Sequence, residues 1–428
     1  MATAQVAATA PPATHAGRFS PSMRGWFARI GVLAGLFALL MWVTAVVPGY
    51  WADRISLAVI FAIIGISLNI VLGYVGQVSL GHHGFVGIAA FVAAYYVTEQ
   101  AGCTPETGCT ITAFSTGMVV AAASGALAAG LLGIVALRIK GLYLALITLS
   151  YGFVAETSIF EIPSLTRAGS GMPAARPTAF DSDTEFAFLT FAFLALVIYL
   201  DWRLIRSKVG RAILSLKHSE PVASSYGINV TAFKILAFVM SGLFAGIGGG
   251  LYAFRLENVV ANDFQFTSSL LWVLMVVVGG LGNRTGVIIG SAFFAVFPFL
   301  VELIPGAEHF FNDTLSRNIS YLPILIGPAL AIITIIQFPG GIAEQISPIT
   351  RWLRGERFSL HPEGHGSHSK KDTRKAMLAK LGLDKNGEGE ATEAPTEEIK
   401  QDSEPVVQGQ PEEPHGSAGH DDTKEGVS

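Results

Sequence analysis

Charge is scarce in this chain. Asp, Glu, Lys and Arg make up 14% of its 428 residues, against about 25% in soluble domains, and the mean hydropathy is +0.51. A soluble globular protein is excluded. The apolar runs are continuous rather than alternating, which also excludes a membrane β-barrel. Cysteine is nearly absent, with two residues in all, so a disulfide-dense scaffold is excluded too. No G-x-x-x-x-G-K-[ST] phosphate loop occurs, and the chain cannot power itself with ATP through one. The apolar runs carry no Lys or Arg at mid-depth, and the acids that fall in them, Glu156 and Glu302, lie toward run ends. Secondary carriers and pumps place such groups inside their spans, so ion-coupled transport is disfavoured. His361, His365 and His368 stand in HPEGHGSH, which will not form the helix that a metal site at this spacing needs. No metal is expected.

What the sequence has instead is apolar helix. Ten runs approach the roughly 20 residues that cross a bilayer: 26–48, 55–73, 82–98, 113–137, 141–160, 186–201, 233–254, 267–281, 286–304 and 319–338. The run at 186–201 and the run at 267–281 are short. The first is too long for the apolar core of a signal peptide, and we read it as a retained span. The expected fold is an all-α polytopic membrane protein of about ten transmembrane helices. With the N-terminus cytoplasmic, fifteen Lys/Arg fall on inside segments and five on outside loops, a bias that also places the C-terminus inside.

Cys103 and Cys109 then share one outside loop, EQAGCTPETGCT, where a small disulfide is the expected state. Residues 361–428 hold 15 acids against 8 bases, with no periodicity, and are expected to be a disordered acidic tail. Within that tail, KKDTRKAMLAKLGL reads as a solvated charge run.

Residues 73–87, GYVGQVSLGHHGFVG, put five glycines and a polar cluster between two apolar runs. At membrane depth such backbone survives only where protein buries it or where it lines a cavity. Gln77, Ser79, His82 and His83 are therefore expected to cap the following helix or to face a pathway, with capping the stronger reading. Residues 202–232 form a long basic segment between spans. In it RAILSL reads as one short helix. Ser219-Glu220-Pro221 reads as the start of another, ended by Gly227. Gly242, Gly246 and Gly250, and likewise Gly282, Gly286 and Gly290, recur at every fourth position, the spacing of close helix packing in lipid.

At these residues the sequence resembles the LivM-like permease subunits of ATP-binding-cassette importers for branched-chain amino acids. The likeness lies in GYVGQVSLGHHGFVGIAAF, in GLYLALITLSYG with TRAGSGM, in GRAILSLKHSEPVASSYGINVTAFKILAF and in GGLGNRTGVIIGSAFF with FPGGI. It implies a permease domain over 25–342, between an N-terminal tail at 1–24 and a cytoplasmic tail at 343–428. It implies that 202–232 seats in an ATPase, with Gly210, Arg211, Glu220, Ala223 and Gly227 as the coupling residues. Pro221, and the seven-residue step from Glu220 to Gly227, depart from the general pattern of such loops. The histidine of the family pattern falls on His82, which leaves His83 as the packing residue.

The implied partners are a second, similar permease, two ATP-binding subunits that carry the ATP and Mg, and a periplasmic substrate-binding protein. The glycine faces are candidates for the contact between permeases. The chain itself would hold no cofactor and no enzyme site, would bind no nucleic acid, and would sit in a bacterial inner membrane. Leucine, isoleucine and valine are the expected cargo, with urea, amides or aromatic acids as the alternative and a self-contained carrier as the remaining one.

Overall fold

A computed structural model describes residues 49–104, 108–136, 141–167 and 169–302, together with 332, 336 and 341–345. The expected span at 26–48, the N-terminal segment and the acidic tail lie outside the described residues, as does the expected span at 319–338 apart from residues 332 and 336.

The chain forms helices α1 (Gly49–Asn69), α2 (His82–Tyr95), α3 (Ile111–Ala136), α4 (Leu142–Val154) and the short α5 (Pro163–Thr166). Then come α6 (Asp183–Arg206), α7 (Lys208–His218), α8 (Glu220–Ser225), α9 (Val230–Leu256), α10 (Phe266–Gly279) and α11 (Arg284–Glu302). Each of α1, α2 and α4 ends in a π-helical turn, at Ile70–Val75, Tyr96–Gln100 and Ala155–Ile159. Among the described residues, six helical stretches are long and apolar enough to cross a membrane: 49–75, 111–135, 142–159, 183–206, 230–256 and 261–279. They correspond to six of the ten expected runs.

Two boundaries moved for a physical reason. The short run at 186–201 becomes a 24-residue helix, because Ser182 caps it, Asp183 and Glu185 stand in its first turn, and Arg203 and Arg206 stand in its last. Those charges look like interruptions to hydropathy, yet each complements the helix dipole at its own end. The run at 267–281 shifts toward its N-terminus, where a 3₁₀ turn at Ala261–Phe264 precedes α10.

The centre of the bundle is α9, which packs against α1, α2 and α3. Glycine makes this possible. A Cβ at Gly242 would collide with the Gly125 carbonyl of α3, and one at Gly246 with the Ala121 carbonyl. In lipid, where apolar surface gains nothing by leaving its solvent, such backbone contact is what holds helices together. Gly286 and Gly290 meet α10 at Gly279 in the same way. Both glycine faces are thus consumed within this chain, which corrects the expectation that they meet a second permease.

At one end of the bundle the connections are knotted together. Cys103 and Cys109 are joined by a disulfide, and the Cys109 N–H donates to the Arg176 carbonyl. The buried Arg176 guanidinium in turn bonds Asp183 at 2.8 Å and the Phe254 carbonyl at 3.1 Å. Strand β1 (Met172–Pro173) pairs antiparallel with β2 (Asn258–Val259) beside it. The opposite end carries α7 and α8.

Candidate functional site

The segment at 202–232 is built by local chemistry. Ser207 accepts the Gly210 N–H at 3.0 Å and starts α7. Ser219, in extended backbone, breaks the chain away from α7 and caps α8 through the Val222 N–H. At the far end the Ile228 N–H reaches the Ala223 carbonyl and the Gly227 N–H reaches that of Ser224. This is the Schellman closure, and it needs Gly227 at φ +78°. Gly210 has a different role: a Cβ there would strike the Leu204 carbonyl, so glycine lets α7 fold back against α6.

The two sides of α8 differ. Ala223 is buried. Val222 and Tyr226 are 54% and 82% exposed and stand four apart, on one face of the helix. Arg211 is also exposed. Glu220, expected among the outward contacts, turns inward instead. Its carboxylate pairs with the Lys234 ammonium of α9 at 2.5 Å, and the Glu220 side chain is only 17% exposed. Gln77 Nε2 donates toward the same Glu220 oxygen at 3.5 Å. Val222 and Tyr226 were missed by sequence reasoning. The i, i+4 apolar pair in an otherwise polar loop was the available signal.

Gln77 leads into the glycine-rich break. After the π turn, Gly76 at φ +78° releases the chain, which runs without regular structure to Gly81. Gln77, Ser79, His82 and His83 are all buried. None of their side chains caps α2, contrary to expectation. The donors of the break are met by other helices: the Leu80 N–H by Thr148 Oγ1 of α4 at 3.0 Å, and the His82 N–H by Ser269 Oγ of α10 at 3.1 Å. Sequence cannot foresee these partners, because they lie 68 and 187 residues away.

His83 packs as expected, and His82 is held in structure as well. His82 Nε2 lies 2.7 Å from Ser67 Oγ on α1, and Ser67 donates its only hydroxyl proton to the Ser241 carbonyl of α9 at 2.8 Å. The imidazole must therefore be the donor, as its Nε2–H tautomer. Ser241 Oγ returns a bond to the Ser67 carbonyl at 2.8 Å, and so His82 bolts three helices together. His83 packs edge-on to Phe266, with Nε2 4.0 Å from the Glu156 carboxylate. Both histidines therefore pack within the bundle, and His83 is the one that also stands beside a carboxylate.

A third feature has no counterpart in the sequence reading. Asp201, in the last turns of α6, is fully buried and accepts from Arg284 Nε at 2.5 Å and from the Tyr74 hydroxyl at 3.3 Å. The cluster borders a cavity of about 600 Å³ that Trp202 and Arg206 also line.

Residues 50–326 match the model of the branched-chain amino acid transport system / permease component family. The chain belongs to this family. It is 27% identical over 358 residues to the high-affinity branched-chain amino acid transport system permease protein LivM of Salmonella typhimurium, covering 75% of this chain and 77% of that protein. With LivM of Escherichia coli it shares 27% over 335 residues, 71% of this chain and 72% of the relative. A shorter match, 26% identical over 155 residues, covers 32% of this chain and 47% of the nucleoside ABC transporter permease protein NupC of Lactococcus lactis. No solved structure matches the chain. The matched region includes both the α7–α8 segment and the glycine-rich break. The chain is the permease component of an ABC importer, a multi-pass membrane protein and a transport subunit.

Proposed function

We propose that this permease carries branched-chain amino acids across a bacterial inner membrane, one of two similar permeases that together form the pathway. Residues 25–342 make the permease domain, and 1–24 and 343–428 are its cytoplasmic tails. Two separate ATPase subunits hold ATP and Mg, and a periplasmic protein delivers the cargo. The observation that carries this reading is α8. A six-residue helix is capped at both ends and presents Val222 and Tyr226 outward while Ala223 and Glu220 face the bundle. An exposed apolar pair on a rigid projection is the form of a knob that fills a partner's cleft. ATP-driven closure of the partners would move α8, and the helices behind it would rock between outward and inward access.

Of the four pathway candidates, Ser79 and His83 are retained. Both are buried and carry side-chain atoms without a hydrogen-bond partner among the described residues. His82 is assigned to structure and Gln77 to coupling. A second reading, nucleoside import, is favoured by the likeness to the Lactococcus lactis permease.

The test is uptake by proteoliposomes holding the full importer and its binding protein. Labelled leucine is expected to accumulate only with ATP, and excess unlabelled adenosine should not compete. Accumulation of adenosine without leucine would replace the cargo assigned here.

A further inference from the structure

We propose that Glu220 is an inward-facing positioning residue that ties α8 to the glycine-rich break, so that movement of α8 is passed to residues 76–82. The inference rests on the reading of α8 as the ATPase-docking helix. It differs in the role it gives to this carboxylate.

The geometry makes Glu220 a junction. One carboxylate oxygen takes the Lys234 ammonium at 2.5 Å and Gln77 Nε2 at 3.5 Å. Lys234 stands in the second turn of α9, the central helix, and is 4% exposed. Gln77 is 8% exposed and opens the segment that ends on Thr148 and Ser269. Backbone links at the two ends of α8 are weak levers by comparison, an extended residue at Ser219 and a left-handed glycine at 227. Glu220 is therefore the charged tie that joins α8 to α9 and to the break.

Energetics decide against an outward role. Removing one partner of a buried pair leaves an uncompensated charge, which is strongly destabilising. A Glu220 that left Lys234 to meet a partner subunit would incur that cost in every cycle. The pair stays closed, and α8, α9 and the break move as one linked unit. Val222 and Tyr226 take the outward contact instead.

The importer is purified whole, with this chain carrying Val78→Cys. Val78 is 38% exposed in the break, and both native cysteines are in the disulfide, so residue 78 supplies the chain's one free thiol. Maleimide labelling of that peptide is followed by mass spectrometry with and without ATP and vanadate. With Glu220 intact, ATP is expected to change the labelling rate several-fold. With Glu220→Gln the ATPases should co-purify in unchanged ratio while the ATP-dependent change is lost. The charge swap Glu220→Lys with Lys234→Glu should restore it, and this swap decides the matter if Glu220→Gln does not accumulate.

The inference is overturned if Glu220→Gln sheds the ATPases, if it keeps the full ATP response, if the swap restores nothing, or if labelling ignores ATP in the unsubstituted background. A parent chain that purifies without any ATPase would instead sink the docking reading, and this inference with it.

Discussion

At the scale of single residues, the polar groups of this protein act across great distances in sequence. Ser67, His82 and Ser241 form one hydrogen-bonded unit, and no local pattern announces it. Ser67→Ala would leave the His82 donor unpaired inside the bundle and remove the second bond to the Ser241 carbonyl. The expected loss is about 1–3 kcal/mol of stability, read as a lower melting temperature in detergent. Ser150→Ala is the control, because Ser150 is exposed and bonds only the Leu146 carbonyl of its own helix. Equal melting of both variants would show that the three-helix bond contributes nothing. The same blindness hid Asp201 with Arg284 and Glu220 with Lys234. Each charge was legible as a charge, whereas its direction was not. A carboxylate on a six-residue helix has too little periodicity around it to tell an inward face from an outward one.

At the scale of elements, more was legible. Ser219 with Gly227 brackets α8 as the sequence led one to expect, because caps and left-handed turns depend on a few neighbouring residues, whereas the caps at Ser182, Ser207 and Asn229 went unread. Small-residue spacing was equally plain in α9, but spacing names a close contact without naming the partner. Here the partner is α3. Gly246→Leu would drive a branched side chain into Ala121 and Ala122, and overpacking at backbone contact distance admits no side-chain rearrangement. Little folded protein is expected in size-exclusion chromatography after extraction. Gly49→Leu is the contrast, since Gly49 is exposed and a Cβ there meets only Asp183 Oδ2, at an ordinary 3.5 Å. A monodisperse Gly246→Leu protein would contradict the packing assigned to α9. Hydropathy also misjudged α6, for it treats dipole-complementing charges at helix ends as the edges of a span.

At the scale of the whole molecule, the bundle has two unlike ends. One is fastened by a disulfide, a short β pair and the buried Arg176; the other carries a small helix with an exposed apolar pair. A permease that is moved by its partners needs this asymmetry. Force must enter at one place and reach the irregular backbone that interrupts the helices. The family was legible because several distinctive stretches occur together in one chain, although each alone is compatible with ordinary helix packing. Cargo was not, since the buried polar groups near the break do not define a pocket by sequence. The most direct test of the central claim is co-purification from the native membrane, with mass spectrometry of what accompanies the chain. The unsubstituted protein is expected to bring ATPase subunits with it, and Tyr226→Asp, at a position 82% exposed, is expected to lose them while the chain still folds. A protein that purifies alone and still moves solute in liposomes without ATP would contradict the account.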